Sequence, residues 1–583
     1  MGARILAPVA KLSAVRRPVL WLALICHLVF AGLYALYTPA FEGLDENDHC
    51  YYACYVQHTG SLPVIGDRSG MAGGSLAHHP PLYYLGLGAV MSSVGTGDYV
   101  PFWSDNPTWA VEGEQRRLRW QHGHDEVSPV SAEISVLRAM RALSVLIGLV
   151  SIVLVHRLAI LMFPGWPGVA GFAALLLACV PQWSWVHGSL DNGNLATMWT
   201  GAALVVMAGS LRRGQLGWRE GLALGVVAGL ALITKLTSIF LLPLLGVTYL
   251  HALFRWRSAR SQVLWSGCVA LAVIVALSGW FFMRNWDLYG ELLALNAHRE
   301  AFAENLVPDE ARLEYLAGRF LPTLFGTSLA GFGWSAVRLP WSVEMGALLL
   351  VLLAVVGWAR RGGRLLEAAG PAVWLCALAV LLVVASVIRY NASFYQPQGR
   401  YLFPAYAPLA VLLSAGWAAS FSGRLGRLRP LVYAAPVVFG GLVFALVFRP
   451  AMAAETVGDR HYASMIEGLR DGPSASRAAI TALEPAQDAE LVAPPTFRWR
   501  DPGHATGMRY SVHLLLQNGL PMGTYESGLI EIGAAEWQMP AALWQSIDAG
   551  QPFSWKVRRL PDRASGERAA DAPESPPRRL TRR

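Results

Sequence analysis

Apolar residues dominate the first 450 positions in blocks of about 20, each closed by a short polar break. Wound as a helix, such a block matches the roughly 30 Å hydrocarbon core of a bilayer. Eleven blocks qualify, at about 18–38, 139–162, 167–187, 194–211, 220–234, 236–254, 262–283, 341–358, 371–389, 402–421 and 431–449. The fifth and sixth run together through Thr234-Lys235-Leu236-Thr237. They divide there because 219–256 is too long for one crossing and a lysine at mid-membrane is costly. Downstream the pattern changes. Residues 450–484 are polar and Ala-rich, a linker with some helix. Between 485 and 562, the runs Phe497-Arg498-Trp499, Tyr510-Ser511-Val512-His513-Leu514 and Phe553-Ser554-Trp555-Lys556-Val557 alternate with period two, which predicts strands. Residues 563–583 are charged and contain prolines, which predicts a disordered tail. The predicted fold class is a polytopic α-helical membrane protein with about eleven transmembrane helices over 1–449, followed by a C-terminal β-sandwich.

Composition removes the other classes. Of 583 residues, 54% are hydrophobic and 15% charged, against about 25% charged in soluble domains. So few charges cannot cover so apolar a chain in water, which excludes a disordered protein, a coiled coil and a purely soluble enzyme. The net charge of +8 would suit nucleic acid, but its distribution does not. Lysine occurs only at Lys11, Lys235 and Lys556, and the other basic residues among the 47 are arginines. Arg16 and Arg17, Arg212, Arg213 and Arg219, Arg255, Arg257 and Arg260, Arg360, Arg361 and Arg364, and Arg424, Arg427 and Arg429 all fall on one side under the eleven-span count. The positive-inside rule makes that side cytoplasmic, so the charge reports topology and implies no nucleic acid. The N-terminus is then cytoplasmic, span 1 an uncleaved anchor in a plasma or inner membrane, and the C-terminal domain extracytoplasmic. The long segments 39–137 and 284–340 also fall outside, where loops can build a site.

The first of them opens Asp45-Glu46-Asn47-Asp48-His49-Cys50-Tyr51-Tyr52-Ala53-Cys54-Tyr55. The stretch 45–58 has helical spacing with no Pro or Gly, so Asp45, Asp48 or His49, and Tyr52 share a face. A carboxylate at a low-dielectric surface can serve as a general base. The plainer reading is first-turn acids favoured by the helix dipole. Gly60-Ser61-Leu62-Pro63 ends the helix, a Gly-rich loop follows at 66–76, and His78-His79-Pro80-Pro81-Leu82-Tyr83-Tyr84 leads into an apolar segment, 82–95, too short to span and read as interfacial. The His pair lacks a third ligand at a metal-binding spacing. Cys26, Cys179, Cys268 and Cys376 lie in spans, and Cys50 and Cys54, at adjacent helical turns, fit neither a disulfide nor a metal site by themselves.

This ordered set of acidic pair, His, Tyr-Tyr-Ala, Gly-x-x-Pro stop and His-Pro-Pro-Leu-Tyr-Tyr resembles the first extracytoplasmic loop of GT-C superfamily membrane glycosyltransferases. It is most similar to the family-39-like enzymes, which include protein mannosyltransferases and the aminoarabinose transferase of lipid A, and also to DUF2142-type membrane proteins. Four later elements match the family's order: Ser189-Leu190-Asp191-Asn192-Gly193-Asn194-Leu195-Ala196-Thr197, Thr234-Lys235-Leu236-Thr237, Met283-Arg284-Asn285-Trp286-Asp287-Leu288-Tyr289-Gly290, and Gln396-Pro397-Gln398-Gly399-Arg400-Tyr401-Leu402-Phe403-Pro404. All lie on the outer side in the eleven-span count. The resemblance covers about 18–421 and implies an enzyme of the EC 2.4 class that moves a sugar from a polyprenyl-phosphate donor to a glycan, lipid or protein acceptor. It places the catalytic carboxylate at Asp45, with Glu46 beside it. Lys235, Arg400, Arg284 and Tyr401 would hold the donor phosphate, and Asp48, His49, Tyr52, His79 and Asp191 would support the acceptor side. No cofactor is required, although Asp45 and Asp48 could recruit a divalent metal. The C-terminal alternation resembles a fibronectin type III-like sandwich, whose work would be packing or glycan binding. The rivals are a flippase for lipid-linked sugars, which would need acids near mid-membrane, and a catalytically silent cell-envelope scaffold of the same fold.

Overall fold

The computed structural model describes residues 3–65, 76–94, 118–120, 122, 132–335, 337–421, 427 and 429–456. Beyond them it describes 481–486, 489–500, 509–516, 525–526, 536–538, 552–560 and 578–582. The Gly-rich stretch 66–75 and the linker residues 457–480 lie outside that set.

The chain opens with α1 (Ala3–Tyr37), then α2 (Glu46–Thr59) and α3 (Leu82–Ser93). The bundle continues through α4 (Ala132–Met162), α5 (Pro167–Cys179), α6 (Pro181–His187), α7 (Asn192–Arg213) and α8 (Trp218–Leu232). A 3-10 turn, Leu236–Phe240, leads into α9 (Leu241–Arg255), followed by α10 (Arg260–Tyr289). Three short helices, α11 (Leu295–Ala301), α12 (Arg312–Glu314) and α13 (Leu321–Leu329), precede a hairpin of β1 (Gly331–Phe332) and β2 (Val337–Arg338). Then come α14 (Trp341–Ala369), α15 (Ala372–Asn391), α16 (Phe403–Ser420), α17 (Arg429–Val443) and α18 (Arg449–Thr456).

Among the described residues nine helices are long and apolar enough to cross a membrane, or ten if a bent pair is one span, rather than eleven. The bent pair is α5 and α6, angled by 66°. Pro181 supplies no N–H to continue the ladder, so the helix breaks after Cys179. The remaining apolar block is α8, whose 15 residues reach only about 22 Å. It still returns along α7. Arg213 at the end of α7 meets Glu220 of α8 at 3.2 Å, and Lys235, just past α8, lies 3.5 Å from Asp191 at the head of α7. The division expected at Lys235 is thus a real break in the helix. Trp265, Leu271 and Val275 on α10 and Leu349, Leu352 and Val355 on α14 are exposed. Such surfaces are the required exterior of a bundle whose solvent is lipid.

One ion pair sets where α2 begins. Arg141, on α4, donates from Nε and Nη2 to the two oxygens of Glu46 at 2.8 and 2.6 Å. Its other hydrogens go to the carbonyls of Ala35, Thr38 and Pro39 at 2.9, 2.7 and 3.0 Å. Both side chains are buried, so the pair ties the end of α1, the head of α2 and α4 together. At the other end of α2 the chain turns at Gly60, whose φ of 65° is left-handed.

The C-terminal residues form two sheets. One has the order β4 (Ala489–Leu491), β10 (Arg578–Arg582), β9 (Pro552–Leu560), β6 (Arg509–Leu516), β7 (Tyr525–Glu526), and the other β3 (Thr481–Glu484), β5 (Thr496–Arg500), β8 (Glu536–Gln538). Phe497 of β5 meets Trp555 of β9 across them, with ring centres 4.7 Å apart. The tail expected to be disordered from 563 carries β10, paired antiparallel with β9 and parallel with β4. Composition misled there. Leu580, the one apolar residue of this strand, is fully buried, and one apolar residue of the right parity is enough to seat a strand between two neighbours.

Replacing Arg141 by Ala would leave the Glu46 carboxylate buried and unpaired. The expected cost is about 3–5 kcal/mol, read as a lowered unfolding temperature in detergent. A wild-type unfolding curve would show that the pair does not hold the fold.

Candidate active site

The turn before α2 is unusual. Phe41 and Asp45 have φ of 62° and 57°, a region that Asp enters more readily than most residues. Asp45 occupies the N-cap, yet its side chain makes no cap bond to α2. Its Oδ2 instead accepts from Nη2 of Arg400.

Arg400 stands in a 3-10 turn, Gly399–Leu402, just before α16. A Cβ at Gly399 would lie 2.3 Å from the amide nitrogen of Ser328, so only glycine fits there. The Gly399 N–H donates to Thr327 Oγ1 at 2.9 Å, which fixes the turn. From it the guanidinium reaches Gln398 Oε1 through Nε at 2.8 Å, and Leu44 O and Asp191 Oδ2 through Nη1 at 2.9 and 2.8 Å. Asp191 is the N-cap of α7 and accepts from the Gly193 N–H at 2.6 Å. Its Oδ1 also takes Lys235 Nζ at 3.5 Å. The Tyr401 ring lies beside both cations, 5.5 Å from the Arg400 guanidinium carbon and 5.9 Å from Lys235 Nζ.

Two carboxylates and two cations therefore meet at one end of the bundle. Asp191 and Arg400 are nearly inaccessible, with side chains 3% and 5% exposed, whereas Lys235 and Asp45 are 15% and 28% exposed. The open side of the cluster is thus Asp45 and Lys235. Burial disfavours the charged Asp191 carboxylate, but the Lys235 ammonium and Arg400 guanidinium beside it hold its pKa well below the usual range. Burial also pulls the Lys235 ammonium below its ordinary value, with Asp191 pulling the other way.

Behind the charges sits a polar aromatic layer. Tyr84 Oη lies 3.0 Å from His49 Nδ1 and 2.9 Å from His79 Nδ1. Tyr52 stacks on Tyr84 at 3.7 Å and donates to the His79 carbonyl at 2.9 Å. Asn192 Nδ2 donates to His79 Nδ1 at 3.1 Å and to the Thr234 carbonyl at 3.2 Å. Burial pushes the His49 pKa down to about 4, against the pull of Asp191 and Asp45, and pushes His79 down as well.

Asp45, Asp191, Lys235, Arg400 and Tyr401 come together, and His49, Tyr52 and His79 flank them. Three other expected residues do not join. Glu46 faces Arg141, and the Leu190 N–H at 3.1 Å adds to its partners, so it acts as an anchor with no free face for chemistry. Arg284 donates to the carbonyls of Leu62 and Pro63 at 3.1 and 2.9 Å, and so holds the loop after α2. Asp48 accepts from Asn47 at 3.1 Å and lines a shallow cleft with Tyr51, Tyr52, Tyr55 and Pro63. Among the described residues no three His, Cys, Asp or Glu side chains converge on a metal site. Sequence reasoning missed Arg141 and gave no role to Tyr84, Asn192 and Gln398, although these three stand inside the motifs it used. Arg141 had a signal, since a cation inside an apolar block requires a buried partner.

Comparison with known proteins adds the following. Residues 131–280, about a quarter of the chain, match the family described as dolichyl-phosphate-mannose-protein mannosyltransferase, a stretch that holds Arg141, Asp191 and Lys235. No curated protein matches. The chain is similar to the crystal structure of ArnT from Cupriavidus metallidurans bound to undecaprenyl phosphate, at 14% identity and a TM-score of 0.42 over 81% of this chain and 82% of that one. The apo form of that protein gives 14% and 0.43 over 80% and 81%. The Archaeoglobus fulgidus oligosaccharyltransferase gives 13% and 0.39 over 74% of this chain and 55% of that one.

The neutral burial of His49 carries a pH dependence. Its folded-state pKa, about 4, lies below the ordinary 6.5, so between these values the unfolded chain takes up the proton more readily. The stability it contributes is complete above pH 6.5 and drains as pH falls through 4. His49→Gln should flatten the dependence of unfolding temperature on pH across that window. Superimposable curves would contradict this account.

Proposed function

We propose that this chain is a membrane glycosyltransferase that moves a sugar from a polyprenyl-phosphate donor to a hydroxyl acceptor on the outer face. The observation that carries the reading is the convergence of Asp45, Asp191, Lys235 and Arg400 from four separate segments onto one cluster. The match over 131–280 to a family of lipid-phosphate-dependent mannosyltransferases by description supports it. The arginine bias of the opposite loops supports reading the face as the outer one.

The chemistry follows from the residue types. Asp45, the most exposed member of the cluster, takes the proton of the acceptor hydroxyl. The acceptor oxygen bonds to the anomeric carbon as the bond from that carbon to the phosphate oxygen breaks. The bonding pair leaves with the lipid phosphate, whose charge Lys235 and Arg400 stabilise. An in-line displacement of this kind inverts the anomeric carbon. A lysine supplies a point charge and an arginine a planar fork, which suits them to a phosphate that changes charge as it leaves.

A deletion strain should lose one sugar substituent from its envelope glycans and accumulate the matching polyprenyl-phosphate sugar, both seen by mass spectrometry. The wild-type chain should restore the substituent. Asp45→Asn, at equal expression, should transfer about 10²- to 10⁴-fold more slowly. Restoration by Asp45→Asn at the wild-type rate would remove Asp45 as the base.

A further inference from the structure

We propose that Arg400 has two mutually exclusive partners, the Asp45 carboxylate and the phosphate of an anionic polyprenyl lipid, so that lipid binding is what frees Asp45 to act. This switch presupposes the donor site proposed above and adds an order of events to it.

The geometry assigns the movable bond. Three contacts hold the guanidinium still: Gln398 Oε1 on Nε at 2.8 Å, with Leu44 O and Asp191 Oδ2 on Nη1 at 2.9 and 2.8 Å. The arm left over, Nη2, carries Asp45. An exchange of partners at Nη2 therefore needs no movement of Arg400. Asp45 can leave, because its side chain is bound to nothing on α2 and is the most exposed of the four. Asp191 cannot, because Gly193 N, Lys235 Nζ and Arg400 Nη1 all grip it and it is almost inaccessible.

The charges point the same way. At rest the cluster holds two negative and two positive groups, so an incoming phosphate gains little unless it displaces a carboxylate. Lys235 offers the landing point. Among the described residues its hydrogen-bond partner is Asp191 Oδ1 at the long distance of 3.5 Å, which leaves its ammonium donors largely unspent. Lys235 and Arg400 sit on the two oxygens of one carboxylate, so Asp191 holds the two cations side by side. A phosphate held by Lys235 then competes for Nη2, and Asp45 is the group that yields. Until that happens the Asp45 carboxylate is tied to Arg400 through Oδ2. Base and leaving-group clamp are coupled through one guanidinium, and the donor binds first.

The test is a titration of polyprenyl monophosphate into the full-length protein in nanodiscs. Asn and Gly both suit the left-handed backbone at position 45, so Asp45→Asn and Asp45→Gly remove the carboxylate without straining the turn. Both should bind the lipid on the order of tenfold tighter than wild type, although both transfer sugar far more slowly. Asp48→Asn removes a like charge one turn along α2 that does not touch Arg400, and should change affinity by less than about twofold. If wild type binds and the position-45 variants bind no tighter, or if Asp48→Asn gains as much, the switch is overturned. If neither wild type nor variants bind polyprenyl phosphate, the donor site fails first. An equal gain for phosphatidylglycerol would make the competitor any lipid phosphate and overturn the assignment to a polyprenyl lipid.

Discussion

The guanidinium of Arg400 meets Asp45 and Asp191 across 355 and 209 positions of sequence. No local preference brings such groups together, and in a low-dielectric bundle an unpaired one of them would cost several kcal/mol. The head of α7, the turn before α2 and the turn before α16 are therefore obliged to meet. Thr327, on α13, fixes the glycine turn that aims Arg400, and Arg141 fixes the start of α2 that aims Asp45. Buried ion pairs of this kind seldom stabilise a protein more than apolar side chains of the same volume would. Two of them, one partly open to the outside, are thus better explained by work done at the site than by the needs of the fold.

Local signals were legible in the sequence, and partner choices were not. The helix expected over 45–58 is α2, Glu46–Thr59, because a glycine stop and the absence of breakers are read within a few residues. The apolar blocks were equally plain, and the count differs only where Pro181 bends one and where α8 is short. Asp45 and Glu46 show the limit. Adjacent residues on a helix point about 100° apart, so spacing says that one carboxylate faces each way but not which faces Arg400. The left-handed turn at Asp45 decides it. Arg284 reads as a phosphate ligand beside the membrane, yet two backbone carbonyls of the first loop claim it. Long-range partners of this sort leave no periodic trace.

Charge at the site is balanced by what is absent from the aromatic layer. His49 is fully buried close to all four charged groups, and a protonated imidazole there would add a third positive charge. Burial keeps it neutral, and Tyr84 links it to His79, which is neutral for the same reason. The layer can therefore orient groups by hydrogen bonds without altering the Coulombic balance of the cluster.

In the proposed function that balance gives the arginine and the lysine different parts. A resting site with two unpaired cations would be costly to bury, and one with all its donors committed could not grip a phosphate. The arrangement avoids both extremes. Arg400 has most of its hydrogen-bonding capacity committed, so it is placed accurately but has one exchangeable arm. Lys235, among the described residues, is held by one long hydrogen bond, so it can turn to an anion but is poorly placed on its own. Asp191 sets the distance between them, one cation on each oxygen. Remove Asp191 and the two cations would repel each other in a medium that screens them weakly. In the proposed donor site it would hold the cation pair together before any phosphate arrives, and its lowered pKa keeps it charged.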